Sequence, residues 1–160
     1  MGQIDDRIVE LGLQLPPEMQ APPGVELPFA FVNRSGNRAM VSGHGPQAAD
    51  GPIAPPFGQV GAGVSVEEGV EAARLTALSM LGSLQRELGS LDRITGWLRV
   101  FGMVNSAPGF VQQPTVINGF SHLILQVFGP EVGRHARSAV GMAALPFGMP
   151  VEVEAEVSID

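Results

Sequence analysis

The 160-residue chain has no cysteine, no tyrosine and no lysine, and only 16% of its residues are charged. The missing cysteine excludes disulfides, thiolate metal sites and cysteine nucleophiles together. The thin coat of charge falls below the roughly one quarter usual in soluble domains. It implies that part of the surface is covered by something other than water, most simply another copy of the chain. No apolar run approaches the roughly 20 residues that a membrane helix requires. The first ten residues carry Asp5, Asp6 and Glu10 and lack a basic stretch followed by an apolar one, so they do not read as a secretory signal. These absences predict a cytoplasmic protein with no membrane partner.

Cations are few as well. Nine arginines face sixteen acidic residues for a net charge of −7, and the nine are scattered along the chain. Nucleic-acid binding draws its affinity from clustered cations that neutralise phosphates, so no nucleic-acid partner is expected. His44, His122 and His135 lack the spacing of metal ligands, and no metal is expected. Gly58, Gly61 and Gly63 precede a helix, yet no strand leads into them and no Gly-Lys-Ser/Thr follows. Glu67 and Glu68 would also repel a phosphate at that helix start.

What is present reads as one domain. Ile4, Ile8 and Leu11 predict a short helix over residues 4–13. Leu15-Pro16-Pro17 ends it, and Ala21-Pro22-Pro23-Gly24 continues as an extended linker. Residues 1–25 thus form an N-terminal helix and proline-rich extension ahead of a main domain, residues 26–160. Residues 28–33 and 38–43 read as a hairpin about the Arg34–Asn37 turn, and 44–64 as a long loop with at most a short strand near Ile53. Ser65 with Glu68 is a capping-box signature. It opens an apolar stripe from Val66 to Leu88, with Gly89 as the stop. Residues 94–105 read as a central strand, and a second helical stripe runs from Pro114 to Gly129-Pro130. Residues 136–145 and 151–159 complete the strands; in the last, Val151, Val153, Ala155, Val157 and Ile159 alternate with Glu152, Glu154, Glu156 and Ser158.

Two helices with one apolar stripe each can cover one face of a mixed sheet, an α+β arrangement that leaves the other face in need of a partner. Arg137 stands in an otherwise apolar strand, where it requires an anion, either a ligand or a side chain. Its planar, permanently charged fork suits a carboxylate. The Glu152, Glu154 and Glu156 row taken alone reads as a solvated face.

Several segments resemble the YjgF/RidA family. Arg137-Ser138-Ala139-Val140-Gly141, Ala144-Leu145-Pro146 and Val151-Glu152-Val153-Glu154-Ala155 are similar to its C-terminal signature. Val41-Ser42-Gly43-His44-Gly45-Pro46 resembles its Ser-Gly-x-x-Pro strand end. Pro28-Phe29 with Gly36-Asn37 matches its N-terminal hairpin. The likeness spans about residues 26–158. Phe120-Ser121 and Gly133-Arg134-His135-Ala136 mark a less characterised branch, formerly labelled L-PSP endoribonuclease-like.

The resemblance implies a chorismate-mutase-like fold and a homotrimer with clefts between subunits that bind small carboxylates. It further implies a hydrolase of the deaminase type, converting reactive 2-imino or enamine acids, such as 2-iminobutanoate or 2-iminopropanoate, to 2-keto acids and ammonia. In that setting Arg137 clamps the carboxylate and Glu152 handles the proton of the attacking water. Gly43 and Ala139 let backbone groups approach the ligand, while His44 and Asn118 border the cleft. No cofactor is needed, because a protonated imine is already electrophilic. Phe29 stands where imine-hydrolysing relatives carry tyrosine; it can pack against an apolar substituent but cannot donate a hydrogen bond. A non-catalytic trimer binding a small carboxylate or other metabolite is the alternative expectation.

Overall fold

A computed structural model describes residues 2–160. Helix α1 (Gln3–Glu10) ends three residues earlier than the apolar spacing predicts. Gly12 turns left-handed there (φ 64°), Leu13 N–H reaches Ile8 O and Gly12 N–H reaches Val9 O. This is the paired-bond arrangement that closes a helix on a glycine. Asp92 accepts from the first-turn amides of Ile4 and Asp5, which ties α1 to the short 3₁₀ turn Leu91–Arg93.

Strands β1 (Val32–Ser35) and β2 (Arg38–His44) form the expected hairpin. β1 starts later than residue 28; before Val32 the hairpin keeps one backbone bond, Ser42 N–H to Phe31 O, and the Ser42 hydroxyl donates to Ala30 O. The loop that follows holds isolated bridges only, Gln47 with Ile53 and Val60 with Val64 and Ser106. Helix α2 (Val66–Leu88) begins with the reciprocal Ser65–Glu68 box and stops at Gly89, whose φ of 82° needs a residue without a side chain. Strand β3 (Ile94–Asn105) occupies the residues the apolar run predicts. Helix α3 spans Gln113–Val132, but Gly129 (φ 73°, ψ 174°) breaks it ahead of Pro130, so its regular part ends at Phe128. Strand β4 (Ala136–Met142) ends earlier than residue 145, and β5 (Val151–Ile159) closes the chain's secondary structure.

The sheet order is β1-β2-β5-β3-β4, with β3 and β4 parallel and the other pairs antiparallel. Both long helices cover one face, giving an α+β fold. Phe120, Met80, Leu81, Leu84, Ile117 and Ile124 are fully buried between them and the valines of β3 and β5. The two helices approach closely at Gly119, where any side chain would overlap the Val70 carbonyl. On the opposite face the register groups Met40, Phe101, Met103 and Val140 with the β5 glutamates, and Met40 and Val140 remain more than one third exposed. None of the helices among the described residues is long and apolar enough to cross a membrane.

Candidate functional site

The residues singled out in the sequence fall into two groups. The first is built on β4 and α3. Arg137 pairs with Val100, so its side chain rises on the helix-covered face at the sheet edge. Arg137 Nη1 donates to Asn118 Oδ1 (2.9 Å) and Ser121 Oγ (3.1 Å), while Nη2 reaches Pro114 O at 3.4 Å. No carboxylate among the described residues lies within 4 Å of the guanidinium. Its Nε–H and second Nη2–H therefore remain without a protein acceptor, and these form the edge that a carboxylate takes with two parallel bonds. Partial burial disfavours the bare charge and lowers its pKa.

His135 completes this group. Its Nδ1 lies 2.7 Å from Gly133 O and its Nε2 2.9 Å from Ser121 Oγ. With the proton on Nδ1, the ring donates to the carbonyl and accepts from the serine hydroxyl, whose oxygen in turn accepts from Arg137. Burial, with the nearby Arg137 charge, lowers the pKa of His135, which favours that neutral tautomer. Asn118, Ser121, Leu125, Arg134, His135 and Arg137 line a cavity of about 220 Å³. Ala139, two residues beyond Arg137, lies opposite Gly102 and packs against the core on the same face.

The second group lies at the junction of β2 and β5. The β2–β5 register shifts between Val41 and His44, leaving Ser42 and Gly43 at a bulge. Glu152 pairs with Met103 on the sheet face that the helices leave uncovered. Its carboxylate lies directly against Gly43, where a methyl group would overlap Oε1. Because the backbone angles at Gly43 are open to any residue, a side chain there would push the flexible Glu152 carboxylate aside rather than strain the chain. Half-burial, and next the charge of Glu154, raise the Glu152 pKa. Glu156, further along the row, is held by Arg38 at 2.8 Å.

His44, which the sequence places at the head of the 44–64 loop, instead ends β2 and is 1% exposed. Its Nδ1 lies 2.6 Å from Ser42 O and its Nε2 2.9 Å from Ser83 Oγ on α2. Burial pushes its pKa down to about 4. The ring packs beside Phe31 (centroids 5.4 Å apart), which in turn meets Phe29 edge-on at 5.7 Å. Phe29 itself is half exposed. Sequence reading missed the roles of Ser121 and His135 beside Arg137. Ser121 occurs three residues after Asn118, one turn along the same helix face, and that spacing was the available signal. Among the described residues no cluster of three or more histidine, aspartate or glutamate side chains is placed to hold a metal ion.

Comparison with known proteins agrees with this architecture. The profile described as "YjgF/chorismate mutase-like, putative endoribonuclease" matches residues 5–153. Protein TCP17 of Trypanosoma cruzi is 43% identical over 159 residues, covering 99% of this chain and 96% of that protein. A crystal structure of a protein of unknown function from Agrobacterium tumefaciens is 42% identical, with a TM-score of 0.87 over 99% of this chain and 93% of that one. A Shewanella oneidensis structure carrying the same endoribonuclease description is 30% identical, with a TM-score of 0.87 over 99% of this chain and all of that one. The family match takes in β1 to β4, the two long helices and the start of β5, so Gly43, Arg137 and Glu152 all lie within it, and the chain belongs to the YjgF/RidA family.

Proposed function

We propose that copies of the chain associate, as a homotrimer, so that Arg137 of one copy and the Gly43–Glu152 junction of its neighbour enclose one cleft, which hydrolyses small 2-imino acids. The observation that carries this reading is Arg137, a guanidinium fixed by Asn118 and Ser121 with a two-donor edge and no carboxylate of its own. A substrate carboxylate would complete it. The uncovered sheet face, with Met40, Phe101, Met103 and Val140, supplies the apolar surface that such an association buries.

In this reaction the carboxylate seats on Arg137 and places the adjacent C=NH₂⁺ carbon before Glu152. Glu152 takes a proton from water as the oxygen bonds to that carbon and the C=N π electrons move to nitrogen. Glu152 returns that proton to the aminol nitrogen, and the carboxylate so regenerated accepts the hydroxyl proton. The C–N bond then breaks to leave a 2-keto acid and ammonia. A carboxylate whose pKa is raised by burial takes up a proton more readily than an exposed one and can return it in the next step. Arg137 also stabilises charge on the substrate throughout.

A second reading is retention of a small carboxylate without turnover. Phe29 favours it, because no tyrosine hydroxyl is present anywhere in the chain to assist the leaving group. The two readings separate in one assay: 2-imino acids are generated in situ with an amino-acid oxidase and keto-acid release is followed. Acceleration over buffer that disappears in Arg137→Ala supports hydrolysis. No acceleration across several side chains, with a carboxylate-dependent melting shift lost in the same variant, supports binding alone.

A further inference from the structure

The Arg137–Ser121–His135 chain of hydrogen bonds has a counterpart elsewhere in the molecule. Arg86 Nη2 donates to Ser83 Oγ (3.1 Å), Ser83 Oγ lies 2.9 Å from His44 Nε2, and His44 Nδ1 lies 2.6 Å from the carbonyl two residues earlier. The residue types, their order and the i−2 carbonyl are the same as around Arg137. In both, a neutral serine–histidine pair steadies an arginine without neutralising it. Arg86 Nη1 is further held by Pro16 O at 3.0 Å. Three of its five N–H bonds are left without an acceptor, and no carboxylate among the described residues lies within 4 Å.

Arg86 lines a cavity of about 520 Å³ between α2 and the segment 18–32. That size suits a small organic ligand. Leu27, Met19, Phe29 and Phe31 form an apolar side to this cavity. Of its two carboxylates, Glu87 is engaged by Arg34 at 2.9 Å, which leaves Glu18 for a cation. Glu18 acts on Arg86 through space, so the two charges share one small volume. A lone anion would meet both an attractive and a repulsive charge there, whereas a zwitterion satisfies both.

We propose that this cavity binds a free α-amino acid with a large apolar side chain, its carboxylate on Arg86, its ammonium at Glu18 and its side chain against Leu27, Phe29 and Phe31. The site stands within one chain and does not depend on Arg137 or on the hydrolytic reading. Phe29, which the family resemblance assigns to the Arg137 cleft, faces this second cavity in its own chain.

Titration calorimetry with L-phenylalanine tests the assignment on the full-length protein. The wild type is expected to give saturable binding that Arg137→Gln retains and Arg86→Gln weakens at least tenfold. 3-Phenylpropionate, which lacks the ammonium, is expected to bind at least tenfold more weakly than L-phenylalanine, and Glu18→Gln to abolish that difference. Because Arg86 also ties residue 16 to α2, Leu27→Trp provides a variant that fills the cavity and leaves the tie intact; it too is expected to abolish binding. Absence of binding to the wild type, binding unaffected by Arg86→Gln or by Leu27→Trp, or loss confined to Arg137→Gln would each overturn the proposal.

Discussion

Arg137 and Glu152 lie on opposite faces of one sheet. Arg137 stands opposite Val100, beneath the helices, whereas Glu152 stands opposite Met103 on the uncovered side. Their strands are separated by β3, about 10 Å from strand to strand, and the register sets the two residues a further three positions apart along it. One small substrate cannot meet both side chains of a single chain. If both serve one cleft, they come from different copies. Arg137→Gln and Glu152→Gln, each inactive alone, are then expected to recover about one quarter of wild-type activity when mixed, unfolded and reassembled. Activity that stays at the level of the separate variants would show that no cleft is shared.

Arg137 is expected to resist conservative replacement. Lysine offers a point charge in place of a planar two-donor edge, so Arg137→Lys is expected to lower kcat/KM about 100-fold or more. Ser121→Ala removes one of the acceptors that fix the guanidinium and the hydroxyl that meets His135. It leaves the charge in place, and a loss of about tenfold, mainly in KM, is expected from steady-state kinetics.

Gly43→Ala tests the close approach at the bulge. The added methyl group overlaps Glu152 Oε1 and displaces the carboxylate, while the backbone angles at Gly43 tolerate a side chain. Activity is expected to fall about as far as in Glu152→Ala, with melting shifted by no more than about 2–4 °C. Added to Glu152→Ala, the same substitution is expected to cost nothing further, a non-additivity that a double-mutant cycle reads directly.

Glu152 carries a raised pKa, so folding favours its protonated form. The penalty is absent at low pH and appears as pH rises from the ordinary carboxylate range through the raised value. Glu152→Gln is therefore expected to melt about 2–4 °C above the wild type at pH 7 and to lose that advantage near pH 3. A variant less stable than wild type at pH 7 would contradict the assigned environment.

His44 produces the opposite limb. Its pKa is depressed to about 4 by burial, so its contribution to stability is intact above pH 6.5 and is lost progressively as pH falls toward 4. A loss of about 3 kcal/mol is expected over that interval in urea unfolding. His135, also depressed, adds to the same limb. His44→Phe is expected to start from a lower stability at pH 7, having lost the Ser83 bond, and to show a shallower decline.

Much of the fold was legible in the residues. The Ser65–Glu68 box and Gly89 bounded α2 because caps are local chemistry. The β5 alternation separated a buried face from an uncovered one because the strand period is two. Arg137 was marked by being charged among apolar neighbours, a contrast visible in one dimension. The β1 start and the α1 end were misplaced, the latter because a turn at Gly12 decided it.

The tertiary structure decided what these residues touch. His44 had no apolar periodicity to mark it as buried; only the packing of β2 against α2 brings Ser83 to its ring. Ser121 precedes His135 and Arg137 by 14 and 16 residues, and only the passage from α3 into β4 brings it to them. The sequence by itself determined the elements, their order and the identity of the charges, since propensity, capping and periodicity act between near neighbours. Which face of the sheet each charge occupies, and therefore that Arg137 and Glu152 are kept apart within a chain, depended on strand pairing and register. Those are contacts between distant residues, and no local pattern encodes them.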